Sequence, residues 1–435
     1  MNKNLKKKEF VKRRKGITLI ALVITIIVLL ILAGISISML SGDNSILRRA
    51  EEAREKTDVT VREEQRKITM LEAATNVEEF NYSGVKIPVG FAPTKKEGES
   101  TIDEGLVITD SQGNEYVWIE VPNDESGPDY TNVENNDKID TSKIYIALKK
   151  YCATDLEGKT LVNSTSKDEW YDSDGKKSNS STNLNDSEVC GLTNKQYTEL
   201  YDKMLISIYK NGGFWIGRYE AGTTSPRKSK NDSIENIVPA SKQNLYPINF
   251  VSCSQAEKLA STVLSNNNYN SSILFGIQWD LILKFLNNKG VNTSLLNVDS
   301  GTWGNYDNNS FRIDRGQYCS KSPWNEFISY KIASNNKITV ENNITTKIGT
   351  NENKIAILLT TGASDTNKKL NIYDLAGNVS EFTLEMAKYS NTNTCNYYRG
   401  GCIMSSSDSA NVSNRWCYDF DKMFSCVYGF RVTIY

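Results

Sequence analysis

The first apolar pattern in the chain is one uncharged run over residues 17–40, ITLIALVITIIVLLILAGISISML. A helix of this length spans the roughly 30 Å hydrocarbon core of a bilayer. Residues 1–15 carry eight lysines and arginines against one glutamate, and such a basic flank stays on the cytoplasmic side. The pattern therefore predicts a single-pass membrane helix through residues 17–40, with the C-terminus outside.

The polar pattern changes beyond this run. Residues 43–76 lack proline and place acidic and basic side chains at helical spacing, which predicts a solvated stalk helix. From about residue 77, short apolar runs alternate with Gly, Asn, Ser and Asp, which is typical of strands and loops. The predicted elements are strands at 115–121, 213–219 and 429–435, and helices at 193–210, 254–264 and 278–286.

These patterns divide the chain into a basic leader (1–16), a membrane and stalk helix (17–76) and an outer domain (77–435). Inside the outer domain, residues 123–190 are polar with little periodicity, which predicts a loop insertion. The predicted fold class is α+β, with one long N-terminal membrane and stalk helix followed by the outer domain.

The start of the apolar run resembles a known signal. KGITLI at residues 15–20, followed by a long apolar helix, resembles the type IV prepilin leader. The resemblance implies cleavage between Gly16 and Ile17, with other pilins as partners. Ala21 stands where major pilins carry a glutamate that registers subunits, so a minor pilin, a pseudopilin and a membrane-anchored display protein all stay open. An uncleaved signal anchor is the alternative interpretation.

Five ordered motifs in the outer domain resemble the formylglycine-generating-enzyme (sulfatase-modifying-factor) type of C-type lectin fold, over about residues 82–435. The resemblance implies a compact α+β domain with little regular secondary structure and a small antiparallel sheet near the C-terminus. In the most specific motif, DLAGNVSEF, Ser380 replaces the family's first tryptophan. The motifs are GGFWIGRYEAG (212–222), YPINFVSCSQA (246–256), FGIQWDLILKFL (275–286), NIYDLAGNVSEFTLE (371–385) and RGG…R…YGFRV (399–432).

The sequence contains no histidine, which excludes Ser-His and Cys-His nucleophile pairs and HExxH metal sites. Formylglycine-generating relatives hold copper(I) through two cysteines after the RGG motif, and those positions align here with Ser405 and Ala410. We therefore expect no enzyme activity, no cofactor and no metal. Residues 1–15 contribute +7 to a total charge of −1, leaving −8 on the rest, which argues against a nucleic-acid partner.

Residues 389–428 are crowded with Tyr, Ser, Asn, Asp and Cys, and the first three of these types are favoured in binding surfaces. These types are also reached from an Asn codon by changing its two adenines, which resembles the variable region of diversity-generating-retroelement target proteins. An Asn- and Ser-rich surface in an Asn-rich protein is the alternative. The predicted ligand contacts are Tyr397, Cys402, Ser405, Ser407, Asp408, Asn411, Asn414, Trp416, Tyr418, Asp419, Phe420 and Phe424.

The sequence as a whole predicts a surface-displayed, non-catalytic adhesin or receptor-like protein at the cell membrane or on a pilus, binding an external protein or glycan. The first alternative is a structural minor pilin or pseudopilin, and the second is a formylglycine-generating-type oxidase. Eight cysteines suit an exported chain, but their spacing leaves fixed disulfides and free thiols equally open.

Overall fold

The structure is a computed structural model whose residues group into two compact units, Met1–Ile68 and Thr69–Tyr435. It describes residues 22–30, 46–136, 138–162, 190–264, 268–309, 311–320, 324–329, 340–341, 344–345, 356–388, 394–418 and 425–435.

The described elements follow one another along the chain, and the short helical segment 22–30 precedes them all. The helices are α1 (Ile46–Thr75), α2 (Thr141–Cys152), α3 (Asn194–Asn211), α4 (Cys253–Ala260), α5 (Gly276–Asn288) and α6 (Thr293–Asn297), with a short 3₁₀ turn at Asp365–Asn367. The strands are β1 (Phe80–Tyr82), β2 (Val85–Ile87), β3 (Phe91–Pro93), β4 (Val107–Asp110), β5 (Glu115–Glu120), β6 (Glu134–Asn135), β7 (Lys138–Ile139), β8 (Gly213–Gly217), β9 (Gly222–Thr223), β10 (Tyr246–Pro247), β11 (Ser271–Ile273), β12 (Gln317–Cys319), β13 (Ile328–Ser329), β14 (Val340–Glu341), β15 (Ile344–Thr345), β16 (Leu358–Leu359), β17 (Lys368–Lys369), β18 (Ile372–Tyr373), β19 (Ser380–Lys388), β20 (Thr394–Arg399), β21 (Trp416–Tyr418), β22 (Tyr428–Gly429) and β23 (Val432–Ile434).

The predicted membrane and stalk helix is wrong for the part of the chain that the structure describes. Residues 22–30 and α1 are helical, but no described helix is both long and apolar enough to cross a membrane. The reason is that α1 carries charged side chains along its length, whereas a span needs about 20 apolar residues. The predicted single-pass membrane location is wrong on the same finding. Residues 17–21 and 31–40, and Gly16 at the predicted cleavage point, lie outside the described residues.

The C-terminal end of α1 is anchored in the second unit. Thr69 and Ala73 are buried. Just beyond the helix, the Asn76 side chain donates hydrogen bonds of 3.0 Å to the backbone oxygens of Pro88 and Phe91. These contacts fix the point where the chain enters the domain.

Extensive β-structure in the second unit corrects the expectation of little regular secondary structure. Within the described residues, the largest sheet has the order β11-β23-β8-β5-β4-β3. Three of its strands, β5, β8 and β23, match predicted strands, and Trp118 of β5 packs 4.9 Å from Trp215 of β8. Helix α5 is buried almost throughout, so the sheet and this helix form the core.

The predicted loop of residues 123–190 contains a helix. Asp140 caps the start of α2 by accepting hydrogen bonds from the backbone N–H groups of Ser142 and Lys143. Ile144 and Leu148, one helical turn apart, are fully buried. This part of the segment therefore belongs to the core, while residues 163–189 lie outside the described residues.

One buried carboxyl in α4 makes stability depend on pH. Burial raises the pKa of Glu257 from its usual 4.5 to about 8, although the backbone N–H of Ile273 donates to it at 2.9 Å. A raised pKa means that the folded protein holds this proton more tightly than the unfolded chain does. The resulting contribution to the free energy of unfolding is complete below pH 4.5 and is lost as pH rises through 8.

We expect Glu257→Gln, which keeps the acceptor for Ile273, to remove this pH dependence. The variant should gain stability relative to the parent by about 1.4 kcal/mol per pH unit between about pH 5 and 8. Urea unfolding of both proteins at pH 5 and pH 8 measures the difference. Parallel stability profiles would show that the Glu257 carboxyl titrates normally.

Candidate binding face

A four-stranded sheet carries three of the predicted contact residues, Tyr397 on β20 and Trp416 and Tyr418 on β21. Its order is β21-β20-β19-β22, with β21 at one edge. In the antiparallel β20–β21 pair, Tyr397 lies opposite Cys417 and Tyr398 lies opposite Trp416. Because side chains alternate along a strand, Tyr397 and Tyr398 project from opposite faces. The sheet therefore has two different faces.

One side of the sheet meets α5 through four charged residues, Asp280, Glu385, Arg399 and Arg415, which we call the charge square. Arg399 contacts Asp280 at 3.1 Å and Glu385 at 3.3 Å. Arg415 contacts Glu385 at 2.8 Å and also pairs with Asp280. Each arginine thus bridges both carboxylates, and the four formal charges cancel.

The charge square is also tied to the backbone of the predicted contact loop. Arg399 donates to the carbonyl oxygens of Asn414 at 3.0 Å and Ser413 at 3.1 Å. Its guanidinium lies 5.5 Å from the Trp279 ring centroid. A Cβ on Gly276 would come within 2.4 Å of the Glu385 carboxyl carbon, so the glycine of the FGIQWD motif admits that carboxylate.

Burial and charge act differently on the two arginines. Burial, with the neighbouring Arg415 cation, lowers the pKa of Arg399 to about 10. Burial also acts to lower the pKa of Arg415, but the Asp280 and Glu385 carboxylates outweigh it and raise that pKa. Both side chains therefore remain cationic at neutral pH, and the charge square stays balanced.

The opposite face of the sheet is aromatic. Phe382 of β19, Tyr398 of β20 and Trp416 of β21 are successive cross-strand neighbours. Tyr428 of β22 packs 5.0 Å from Tyr398 and 5.6 Å from Phe382. We call Phe382, Tyr398, Trp416 and Tyr428 the aromatic row. It begins in the core and ends at the sheet edge, where Trp416 is 48% exposed.

The DLAGNVSEF turn is held by a second buried polar cluster. Both Glu381 oxygens accept hydrogen bonds from Arg431, the closest at 2.7 Å. The Asn378 amide donates to Glu220 at 2.6 Å, and its oxygen accepts from Asn305 at 3.1 Å. These bonds give Asn378 and Glu381 structural roles in the turn.

Three carboxyls, those of Glu220, Asp374 and Glu381, share this cluster with Arg431, and burial raises their pKa values. Burial, together with the nearby Asp374 and Glu381, raises the pKa of Glu220. Burial raises the pKa of Asp374 to about 6, against the hydrogen bond from the Gly362 N–H and the attraction of Arg431. Arg431 pairs with Glu381, whereas Arg399 pairs with Asp280 and Glu385.

The predicted contact residues separate into exposed and buried groups. Asp408 and Trp416 are exposed, and Tyr397, Ser405 and Asn414 are half-buried. Cys402, Ser407 and Asn411 are buried. Tyr418 is described as part of β21 only, and Asp419, Phe420 and Phe424 lie outside the described residues.

The buried members of the set hold the loop to its neighbours. The Ser407 N–H bonds the Asn308 side chain at 3.0 Å. Asn411 donates to the Asn297 carbonyl at 3.2 Å, and the Cys402 thiol lies 3.2 Å from the Ser405 hydroxyl. These residues support the loop instead of facing solvent.

Two residues of this region are not among the predicted contacts, the exposed Met404 and the half-buried Tyr398. Met404 is 54% exposed and stands beside the predicted Ser405. Tyr398 shares a face with Trp416, while the predicted Tyr397 does not. The sequence did contain a signal for Tyr398. Side chains alternate between the two faces of a strand, so only one of the neighbours Tyr397 and Tyr398 can share a face with Trp416.

The eight cysteines form one disulfide, Cys190–Cys253, with 63 residues of sequence separation. Of the other six cysteines, Cys417 is the one that is not buried. Burial raises the pKa of the Cys426 thiol and of the Cys152 thiol. Of the thiols that follow the RGG motif, those of Cys402 and Cys426 are thus buried.

Comparison with known proteins gives distant structural neighbours only. No family model matches the chain, and no curated protein matches it. The crystal structure of CarF is 21% identical over 20% of this chain and 31% of that chain, with a TM-score of 0.17. Treponema denticola variable protein 1 is 12% identical over 51% of this chain and 84% of that chain, with a TM-score of 0.25. A variable protein is thus among the distant neighbours, but at these scores neither structure carries an argument about fold or function.

Proposed function

We propose that the protein is a non-catalytic ligand-binding protein whose contacts lie on the loop of residues 402–414 and on β21. The observation that carries the proposal is the division of this region into buried supports and exposed side chains. Arg399 and Arg415 are held in the charge square beneath the loop. Asp408, Ser409 and Trp416 are exposed. This arrangement allows the surface to change without loss of the framework.

The same division supports a diversified binding face. The RGG and GFR motifs include Arg399 and Arg431, whose side chains are fully buried in ion pairs. The residue types reachable from an Asn codon include those at the exposed Ser409 and Asp408. Variation at such positions changes the ligand contacts while the motifs that position them stay constant.

A binding role without catalysis is favoured by the chemistry of the face. Ser405 and Ala410 occupy the positions that align with the copper-binding cysteines of formylglycine-generating relatives, and neither side chain is a soft thiolate. The arginines of the charge square both contact carboxylates of this chain, so they act as structural cations.

Sequencing this locus across a natural population tests the proposal. We expect substitutions to concentrate at Ser405, Ser406, Asp408 and Ser409, with the codons of Arg399, Arg415 and Arg431 unchanged. The comparison region is residues 210–388, where we expect a low and even rate. An equal rate in both regions would contradict diversification.

An adjacent pair of residues provides a matched stability test. Asp408 is exposed and Ser407 is buried. We expect Asp408→Tyr to change the free energy of unfolding by less than about 0.5–1 kcal/mol. Ser407→Tyr inserts a ring into a filled site and should cost about 1–3 kcal/mol or more. Urea unfolding measures both variants, and equal costs would show that the loop is not divided into contact and support positions.

A further inference from the structure

The open edge of β21 offers backbone hydrogen-bonding groups. No other described strand pairs with β21 on the side away from β20. Thr383 donates from its hydroxyl to the backbone oxygen of Tyr397 at 2.8 Å, so that carbonyl points toward β19 and away from β21. In an antiparallel pair the residues alternate between bonded and non-bonded partners. Tyr397 and its opposite residue Cys417 are then a non-bonded pair.

It follows that Cys417 directs its backbone N–H and C=O outward from the sheet. Trp416 and Tyr418 then make the ladder bonds to β20. The outward groups of Cys417 match the hydrogen-bonding pattern of one more strand.

The aromatic row supplies side-chain recognition at the same edge. The row passes through Phe382 and Tyr398 and stops at Trp416, whose ring is half exposed. Cross-strand pairs of aromatic or β-branched residues stabilise a sheet. A further strand with such a residue opposite Trp416 would continue the row.

We infer that β21 binds an extended peptide as an additional strand, with an aromatic or β-branched residue of the peptide opposite Trp416. The inference rests on the proposed binding function and names its ligand class as polypeptide. Backbone hydrogen bonds to Cys417 contribute affinity, and the side chain against Trp416 contributes selectivity.

A random decapeptide library displayed on phage is the probe, panned on the full chain and in parallel on its Trp416→Ala variant. We expect peptides rich in aromatic and β-branched residues to be enriched on the full chain, with affinity about tenfold weaker for the variant. If no peptide is enriched, or if enrichment is equal on both proteins, the inference is overturned.

Two substitutions at Cys417 then separate backbone pairing from side-chain contact. Cys417→Pro removes the outward N–H, while Cys417→Ala keeps it and removes only the thiol. For a selected peptide we expect about tenfold weaker binding to the proline variant and nearly unchanged binding to the alanine variant. Equal binding to both variants overturns strand addition while leaving the proposed binding function intact.

Thermal unfolding of the same variants checks the geometry. Proline is tolerated at an edge position whose N–H faces outward, so the proline and alanine variants should unfold within a few degrees of each other. A proline variant that fails to fold overturns the outward orientation of Cys417. N-methylation of successive peptide residues gives an independent test that uses the unsubstituted protein. The affinity of the peptide for the protein should fall when alternate residues are methylated. Equal losses at every residue would contradict the inference.

Discussion

Arg399→Met should lower the free energy of unfolding by about 3–5 kcal/mol, the range measured when one partner of a buried ion pair is removed. The substitution leaves Asp280 and Glu385 with Arg415 alone, and two carboxylates then share one cation in a buried site. It also removes the bonds to the carbonyl oxygens of Ser413 and Asn414. Methionine is a fair match in size, so the loss reports charge and hydrogen bonds more than volume.

A second substitution distinguishes the charge imbalance from general damage. Adding Asp280→Asn to Arg399→Met restores a neutral cluster, and we expect it to recover part of the lost stability. Lys195→Met is the control, because Lys195 and its partner Glu199 are both exposed on α3. Its cost should stay below about 1 kcal/mol. Urea unfolding of the four proteins measures these differences, and a double variant no more stable than Arg399→Met would show that charge balance is not the cause.

The strands at the centre of the domain were predictable because their apolar runs are short and are bounded by turn residues. Strands β5, β8 and β23 match these runs, and they are adjacent in one sheet. Helix α2 was missed because the composition of the whole of residues 123–190 is polar. Its buried residues Ile144 and Leu148 have helical spacing, but only over 12 residues. The polar composition averaged over residues 123–190 thus concealed the helical spacing of the apolar residues in α2.

Composition predicts a surface in residues 389–428, and Trp416 and Asp408 are exposed there. Composition does not distinguish Asp408 from Ser407, because burial depends on contacts with distant segments such as Asn308. The partners of Arg399 were also hidden, since Asp280 lies 119 residues away in sequence and approaches only through α5. Polar residue types indicate a surface segment. Contacts between residues that are distant in sequence determine which of its side chains are exposed.

Gly377→Ala should cost more than about 4 kcal/mol and prevent normal folding. Gly377 lies in the DLAGNVSEF turn with φ of +76°, where a Cβ would stand 2.2 Å from the Asn305 backbone oxygen. That atom belongs to backbone that is itself held, since the Asn378 N–H donates to it at 2.9 Å. The Gly377 N–H also bonds the Gly400 carbonyl at 2.8 Å, so displacement would spread to the RGG motif. The clash cannot be relieved by a side-chain rotation.

Gly290→Ala separates the steric clash from the cost of the backbone conformation. Gly290 has φ of +91°, and a Cβ there would meet no atom within 4 Å. The alanine should therefore cost only about 1–2 kcal/mol, the penalty of a left-handed conformation. Thermal unfolding and soluble yield of both variants measure the contrast. A larger loss of stability for the Gly377 variant assigns the difference to the contact with Asn305. Similar losses in the two variants would mean that the backbone conformation alone requires glycine in the turn.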